Sequence, residues 1–291
     1  MCPERISVVI PAGNAPSLDR TLESLAHPQN RDLIDEVIMV GKGDYRLSVD
    51  GPRFTSIPTT NPVTAPVARN IGIRATTSEW IGFIDADCTA APDWAQNLLN
   101  AAQRGHKIVG GGVAFGRTSY WAKVHNVSML HEFCVSAPPG PRDLLPTLNL
   151  LVHRDVIVQV GLMDEALRRA QDLEWTMRMR RQGFVLWFEP GAVVTHNPER
   201  GNPSSLWRDY WETGRVSGRA RAQVGQAPFP RWLNSAAWLS ILSPGIAAVA
   251  TLRIFTRNAR LVRYLATAPG IWLTKMAWCL GYAHAVASSS L

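Results

Sequence analysis

The chain has 291 residues, 46% of them hydrophobic and 18% charged, which excludes a disordered polymer and allows one large domain or a domain with an appendage. Its four cysteines, Cys2, Cys88, Cys134 and Cys279, are too scattered for a zinc knuckle or a disulfide framework and suit a reducing compartment. The net charge of +7 is concentrated at one end: no Asp or Glu follows Glu212, whereas Arg215, Arg219, Arg221, Arg231, Arg253, Arg257, Arg260, Arg263 and Lys275 do.

Strand and helix patterns alternate up to about residue 200, which predicts an α/β sheet. A buried strand, Ile6-Ser7-Val8-Val9-Ile10, starts too early to leave room for a signal peptide and stops at Pro11. Ser17 is placed to cap a helix with Leu18, Leu22 and Leu25 on one face. Val37–Val40 and Phe54–Ile57 read as strands, and Pro66 suits the start of a helix through Arg69-Asn70-Ile71-Gly72. Trp80–Ile84 is an apolar strand that runs into Asp85-Ala86-Asp87, and Pro92-Asp93-Trp94 opens another helix. Ile108–Val113 reads as a strand, Tyr120–Cys134 has helical spacing, and Ala137–Pro141 reads as a loop. Leu148–Val152 is a strand, Asp172–Gln182 a helix stopped by Gly183, and Phe184–Phe188 and Val193–Thr195 two last strands leading to His196. No internal repeat is evident.

The pair Asp85 and Asp87 carries the most chemistry. Unpaired carboxylates are costly to bury, so a strand that stops on Asp-x-Asp has brought them to a cation or a cleft. Residues i and i+2 of an extended chain point the same way, so both can share one divalent ion that keeps open positions for phosphate oxygens. The alternative is that they cap the helix near Pro92. Asp85, Asp87 and His196 all follow strand C-termini, where α/β sheets bind ligands.

The last quarter has a different character. Trp232–Leu252 is uncharged between Arg231 and Arg253, long enough to approach a membrane span but interrupted by Pro244-Gly245. It reads as a broken or re-entrant helix, or as two short interfacial helices. Arg257, Arg260 and Arg263 follow beside Leu261, Val262 and Leu265, and Met276–Leu291 is again uncharged. Basic residues around apolar helices suit the cytoplasmic face of the cell membrane, with peripheral contact or a short re-entrant segment. The alternative is a helical subdomain packed on the main domain or on a second copy in a homo-oligomer. The predicted division is 1–212 and 213–291.

Several motifs in order then resemble glycosyltransferase family 2 over roughly residues 5–215. They are Ile6–Pro11 with Asn14; Ala68-Arg69-Asn70-Ile71-Gly72; Phe83–Asp87; Asn149 with His153-Arg154-Asp155 and Val160–Glu165; and Ala170–Trp175. The resemblance implies the α/β fold called GT-A, a Rossmann-like nucleotide-sugar transferase domain, here followed by a basic, helical, membrane-associated region. It implies a nucleotide-diphosphate sugar as donor, Mn2+ or Mg2+ as cofactor, and single-displacement transfer with inversion. Asp172 is then the general base that deprotonates the acceptor; without the resemblance, an Asp there reads first as a plain helix cap. Asp87 and Asp85 are the metal side, with Asp85 also available to the ribose, and His196 is a third metal ligand or a structural histidine. Pro11, Asn14, Asp44 and Arg69 fall on the donor side. Arg200, in a Pro- and Gly-rich loop, suits a phosphate. Trp175, Trp207 and Trp211 are placed for packing more than for stacking on sugar.

The chain departs from the family where the donor base is read. Pro11-Ala12-Gly13-Asn14 stands where relatives often carry Thr-Tyr. Gly41-Lys42-Gly43-Asp44 stands where they often carry Asp-Asp-Gly-Ser, so the base-reading acid is missing or moved to Asp44. Gln171 replaces the usual Glu beside Asp172, and no Gln-x-x-Arg-Trp motif marks a processive synthase. The expected function is transfer of one sugar to a lipid-linked or cell-envelope glycan acceptor, with membrane contact through 213–291 and no nucleic-acid partner. The alternative is a catalytically degenerate GT-A protein that binds a ligand or partner. A nucleotidyltransferase would need a Gly-rich loop where Pro11–Ser17 stands.

Overall fold

A computed structural model describes residues 5–13, 16–43, 45, 51–116, 118–199, 201–223, 229–230, 233 and 235–289. They divide into two compact units, Met1–Ala114 with Phe133–His196, and Phe115–Glu132 with Asn197–Leu291. The expected boundary at 212/213 falls inside the helix Pro203–Gln223.

The elements run β1 (Ile6–Pro11), α1 (Leu18–Leu25), α2 (Pro28–Arg31), β2 (Ile34–Gly41), β3 (Arg53–Pro58), α3 (Ala65–Ala75), β4 (Trp80–Ile84), β5 (Cys88–Ala90), α4 (Trp94–Gln103), β6 (Ile108–Phe115), α5 (Tyr120–Leu130), β7 (Gly140–Pro141), β8 (Asn149–His153), α6 (Arg154–Val160), α7 (Gln171–Arg181) and β9 (Trp187–His196). All but α5 build the first unit around one mixed sheet of order β3-β2-β1-β4-β8-β6-β9-β5, with β7 on β9. The strands β3, β2, β1 and β4 are parallel, and Ile6, Val8, Val9 and Ile10 are fully buried, as a central parallel strand requires. The sheet turns antiparallel where β8 meets β4. From β1 the chain steps outward to β2 and β3 and returns to β4 on the other side, which opens a crevice beyond the C-terminal ends of β1 and β4.

Two sequence expectations change here. Phe184–Phe188 and Val193–Thr195 are not two strands: β9 is continuous through Pro190-Gly191. It is held from both ends, by β7 at Trp187 and Phe188 and by β5 at Val194–His196. The supposed loop Ala137–Pro141 contributes β7 for the same reason.

The second unit comprises α5, α8 (Pro203–Gln223), α9 (Ala236–Arg257), a 3-10 helix (Ala259–Thr267) and α10 (Ala268–Ser289). α5 joins it because Lys275 Nζ donates to the Ser128 carbonyl at 2.8 Å and the Ser128 and Thr274 hydroxyls meet at 2.9 Å. α8 and α10 lie backbone to backbone through reciprocal glycines. A Cβ on Gly214 would sit 2.0 Å from the Trp278 carbonyl oxygen, and one on Gly281 would sit 1.9 Å from that of Trp211.

α9 is one unbroken helix with Pro244 inside it, not the broken or paired helix expected. The proline removes the N–H that would bond to the Ser240 carbonyl, and Ser243 Oγ donates to that carbonyl instead, at 2.9 Å. Trp272 Nε1 donates to the Pro244 carbonyl at 3.0 Å, which ties α10 to the same turn. Among the described residues, α9 is the one helix long and apolar enough to cross a membrane.

Candidate active site

The site gathers where β4 ends. Asp85 follows the strand, and a tight turn returns the chain to β5, closed by the Cys88 N–H on the Asp85 carbonyl at 3.0 Å. The two aspartates are therefore on a turn, not an extended strand, and they face different partners. Asp85 Oδ1 accepts from Arg69 Nη2 at 2.6 Å. Asp87 Oδ2 lies 3.4 Å from His196 Nε2, which β5–β9 pairing brings beside Cys88. Neither aspartate caps α4, whose N-cap is Asp93.

The turn is gripped from α1. Ser17 Oγ and Thr21 Oγ1 both donate to the carbonyl of Ala86, the residue between the aspartates, at 3.1 and 3.0 Å. Ser17 thus makes no cap bond to α1, although the sequence offers it as one. Behind the turn, buried Asn149 holds three strands and a helix together. It accepts from Trp94 Nε1 and donates to the Gly112 and Ala192 carbonyls, all within 3.0 Å. That arrangement makes Asn149 a packing residue.

α3 connects this turn to the candidate base. Arg69 reaches the Asp85 turn, while neighbouring Asn70 exchanges hydrogen bonds with the backbone of Met163 and donates to Glu165 Oε1. Both residues are buried. The segment so anchored leads to Ala170, the one non-glycine residue with positive φ among the described residues, at 55°. Strained backbone of this kind persists where surroundings over-determine it. Ala170 is the N-cap of α7, so Asp172 stands in the first turn and does not cap. Trp175, fully buried on the same helix, packs edge-on against Phe83 of β4 at 5.7 Å and donates to the Gly161 carbonyl. This fixes the helix bearing Asp172 to the strand that leads into Asp85, and it excludes Trp175 as a sugar platform.

The charges respond to one another. Burial raises the Asp172 pKa above the ordinary carboxylate value, Arg69 and the Leu173 N–H pull it down, and Asp85 pushes it up. Burial, then Asp87 and Asp85, push the Cys88 thiol well up, so it remains a neutral thiol. Among the described residues, the metal-capable cluster holds Asp87, Cys88 and His196, with ligand atoms within 4.8 Å of one another, and Asp85 is not part of it. A carboxylate and an imidazole that close suit a divalent ion such as Mn2+, with positions left for phosphate oxygens. Arg69 Nε and Nη1 are buried without a protein hydrogen-bond partner, which suits an anionic or hydroxyl-bearing ligand at the same edge.

At the donor-base side, Pro11 ends β1, and Asn14 and Asp44 lie outside the described residues, as does Arg200 beyond β9. The departure at Gly41 has a steric basis: a Cβ there would stand 1.9 Å from the Ala12 carbonyl oxygen. That carbonyl accepts from Tyr45 at 2.6 Å. The acidic side chain expected at the end of β2 has no room, and a tyrosine stands at that edge.

Residues 7–160 match glycosyl transferase family 2, more than half of the chain. The chain belongs to that family. The glycosyltransferase AglE of Haloferax volcanii is 26% identical over 130 residues, which cover 44% of this chain and 43% of AglE. The chain thus spans less than half the length of that relative. The succinoglycan biosynthesis protein ExoM of Rhizobium meliloti is 25% identical over 272 residues, covering 86% of this chain and 84% of ExoM. Among solved structures, the mannosyltransferase PcManGT from Pyrobaculum calidifontis, in complex with GDP-Man and Mn2+, aligns with a TM-score of 0.60 at 17% identity, covering 99% of this chain and 88% of that one. The fold is the mixed-sheet GT-A fold, followed by C-terminal helices that include one apolar helix.

Proposed function

We propose that this family 2 member is a metal-dependent inverting glycosyltransferase, moving one sugar from a nucleotide-diphosphate sugar to a hydroxyl of a lipid-linked or cell-envelope glycan acceptor. The observation that carries the reading is the Arg69–Asp85 ion pair at the C-terminal edge of β4, beside the Asp87–His196 pair, with buried Asp172 within the electrostatic reach of Arg69 and Asp85.

Asp172 takes the proton from the acceptor oxygen. Its raised pKa makes it a stronger base than a solvated carboxylate, and Arg69 keeps it ionised enough to act. Arg69 holds Asp85 through Oδ1 and turns its remaining donors to the donor's ribose or phosphates. Asp87 and His196, with Asp85 at the neighbouring turn position, would hold Mn2+ or Mg2+, which when bound supplies an electrostatic clamp on the departing diphosphate. Pro11, Asn14 and Asp44 are assigned to the nucleotide side and Arg200 to the diphosphate. Inversion follows from a single displacement with one base. ExoM, by its name a succinoglycan biosynthesis protein, supports a glycan product, and AglE, by its name a glycosyltransferase, supports the transfer. The acid-free, apolar C-terminal helices support work at the cytoplasmic face of a membrane, through peripheral contact.

The test is thermal stabilisation by UDP, GDP, dTDP, CDP and CMP, each with and without Mn2+, since a ligand that binds only the folded state must raise its stability. A Mn2+-dependent shift with one nucleotide, lost in Asp87→Ala, is the expected result and names the donor base. No shift with any of them in folded, lipid-supplied protein would overturn the transferase reading in favour of a non-catalytic binding module.

A further inference from the structure

α9 has two apolar sides. One is packed: Leu239, Ser243, Ala247, Thr251, Ile254 and Phe255 recur at helical spacing and are buried. The other is not: Trp238, Ile241, Leu242, Val249 and Leu252 are exposed, Ile241 by 68% and Leu252 by 63%. Exposed Val262 and Leu265 continue the surface on the 3-10 helix. Seven of the thirteen large hydrophobic side chains exposed among the described residues therefore fall between 238 and 265. Such a contiguous patch on a water-facing surface marks a binding face.

The charges on α9 and the 3-10 helix have one sign. Arg253, Arg257, Arg260 and Arg263 are exposed along its C-terminal end, and no acidic residue follows Glu212. Apolar side chains beside an arginine fringe complement a surface that is apolar below and anionic above, which describes a bilayer containing acidic lipids.

The packing order decides how the helix meets that bilayer. α9 packs on α10, and α10 packs on α8. α8 carries Arg208, Asp209, Glu212, Arg215 and Arg219. If α9 crossed the bilayer, α10 and then α8 would be carried to the same depth, with those charges in hydrocarbon, where each is costly. A helix lying flat meets no such conflict: it leaves α10 and α8 on the water side. We propose that α9 and the 3-10 helix lie in the plane of an anionic bilayer surface, with Trp238, Ile241, Leu242, Val249 and Leu252 among the acyl chains and Arg253, Arg257, Arg260 and Arg263 on the headgroup phosphates. This deepens the proposed membrane contact from attachment to a defined, non-spanning geometry, and it does not depend on glycosyl transfer.

The experiment uses the full chain with vesicles of phosphatidylcholine alone or with added phosphatidylglycerol, read by co-sedimentation. Binding should require the anionic lipid and weaken with salt, and alkaline carbonate should release the protein. Ile241→Asp with Leu252→Asp, and separately Arg257→Glu with Arg260→Glu, should each lower vesicle affinity at least tenfold, with circular dichroism and melting temperature unchanged. The second pair keeps the test sharp if the first disturbs folding. Resistance to carbonate would overturn the flat geometry. Binding that ignores both variant pairs would overturn the surface. So would loss of a dimer in the Asp variants with vesicle binding intact, or salt-sensitive retention on DNA in place of vesicles. Nucleotide-dependent stabilisation, measured on the same samples, keeps the readings separate: its absence with vesicle binding intact sinks the transferase reading alone.

Discussion

Arg69 Nη2 donates to Asp85 Oδ1 at 2.6 Å, with the arginine side chain only 2% exposed. A buried arginine on α3 is thus committed to the turn that carries both aspartates, and its field also reaches Asp172. Removing it leaves a partly buried carboxylate without its partner. Asp85 keeps 31% of its exposure, so water recovers part of the loss. Arg69→Met should cost about 2 kcal/mol in denaturant unfolding, with Arg69→Lys restoring charge but not the fixed geometry. An unchanged midpoint in Arg69→Met would show that the pair contributes nothing to the fold.

As the proposed base, Asp172 should set the pH dependence. A base works only when deprotonated, and burial raises the Asp172 pKa, so the acid limb of kcat should lie above the ordinary carboxylate range. Because Arg69 opposes that rise, Arg69→Met should move the limb to still higher pH. A pH–rate profile of wild type and variant reads both shifts. A limb at the value of a solvated carboxylate, unmoved by the variant, would remove Asp172 from the role.

The same shift has a sign for stability. A carboxyl whose folded pKa is raised favours folding when protonated, and that contribution is lost as pH rises through the folded pKa. At neutral pH the buried charge is therefore a cost. Asp172→Asn should raise the melting temperature at pH 7, with the gain fading as pH falls through the raised folded pKa and gone below the unfolded value. It should also lower kcat by about 100- to 10,000-fold while leaving nucleotide binding in place. Differential scanning calorimetry across pH checks the first part and single-turnover transfer the second.

Ser17 and Thr21 share the Ala86 carbonyl, which is buried between the aspartates. The double change to Ala should cost about 1–3 kcal/mol by leaving that carbonyl unsatisfied. It should also weaken the Mn2+-dependent nucleotide shift more than its stability cost explains, because the turn that presents Asp87 loosens. Isothermal titration with Mn2+ and nucleotide, on variant and wild type, would separate these effects.

The position of the candidate site was legible because it follows strand ends. Apolar runs at 6–10, 37–40, 54–57 and 80–84 became β1 to β4, and the acids directly after β4 fell where an α/β sheet opens its crevice. The tail's acid-free, apolar composition was legible too, and it holds the one described helix long and apolar enough to cross a membrane. Pro244 misled because a proline's missing N–H is visible in sequence while the compensating Ser243 hydroxyl is not. Pro190 misled for a like reason: pairing from β7 and β5 holds a strand that local propensity would break.

The residue sequence by itself determined the alternation of strand and helix, the family motifs and the acid-free end, because these depend on residues near one another in the chain. It also set Asp85, Asp87, Asp172 and His196 apart as candidates. Tertiary structure decided their partners. Arg69 with Asp85 spans 16 positions, and the Ser17 and Thr21 hydroxyls reach Ala86 over 69 and 65. His196 comes to Asp87 only because β9 pairs with β5. Contacts at such separations depend on sheet order and register, which close the loops between them, and no local pattern of side chains encodes that closure.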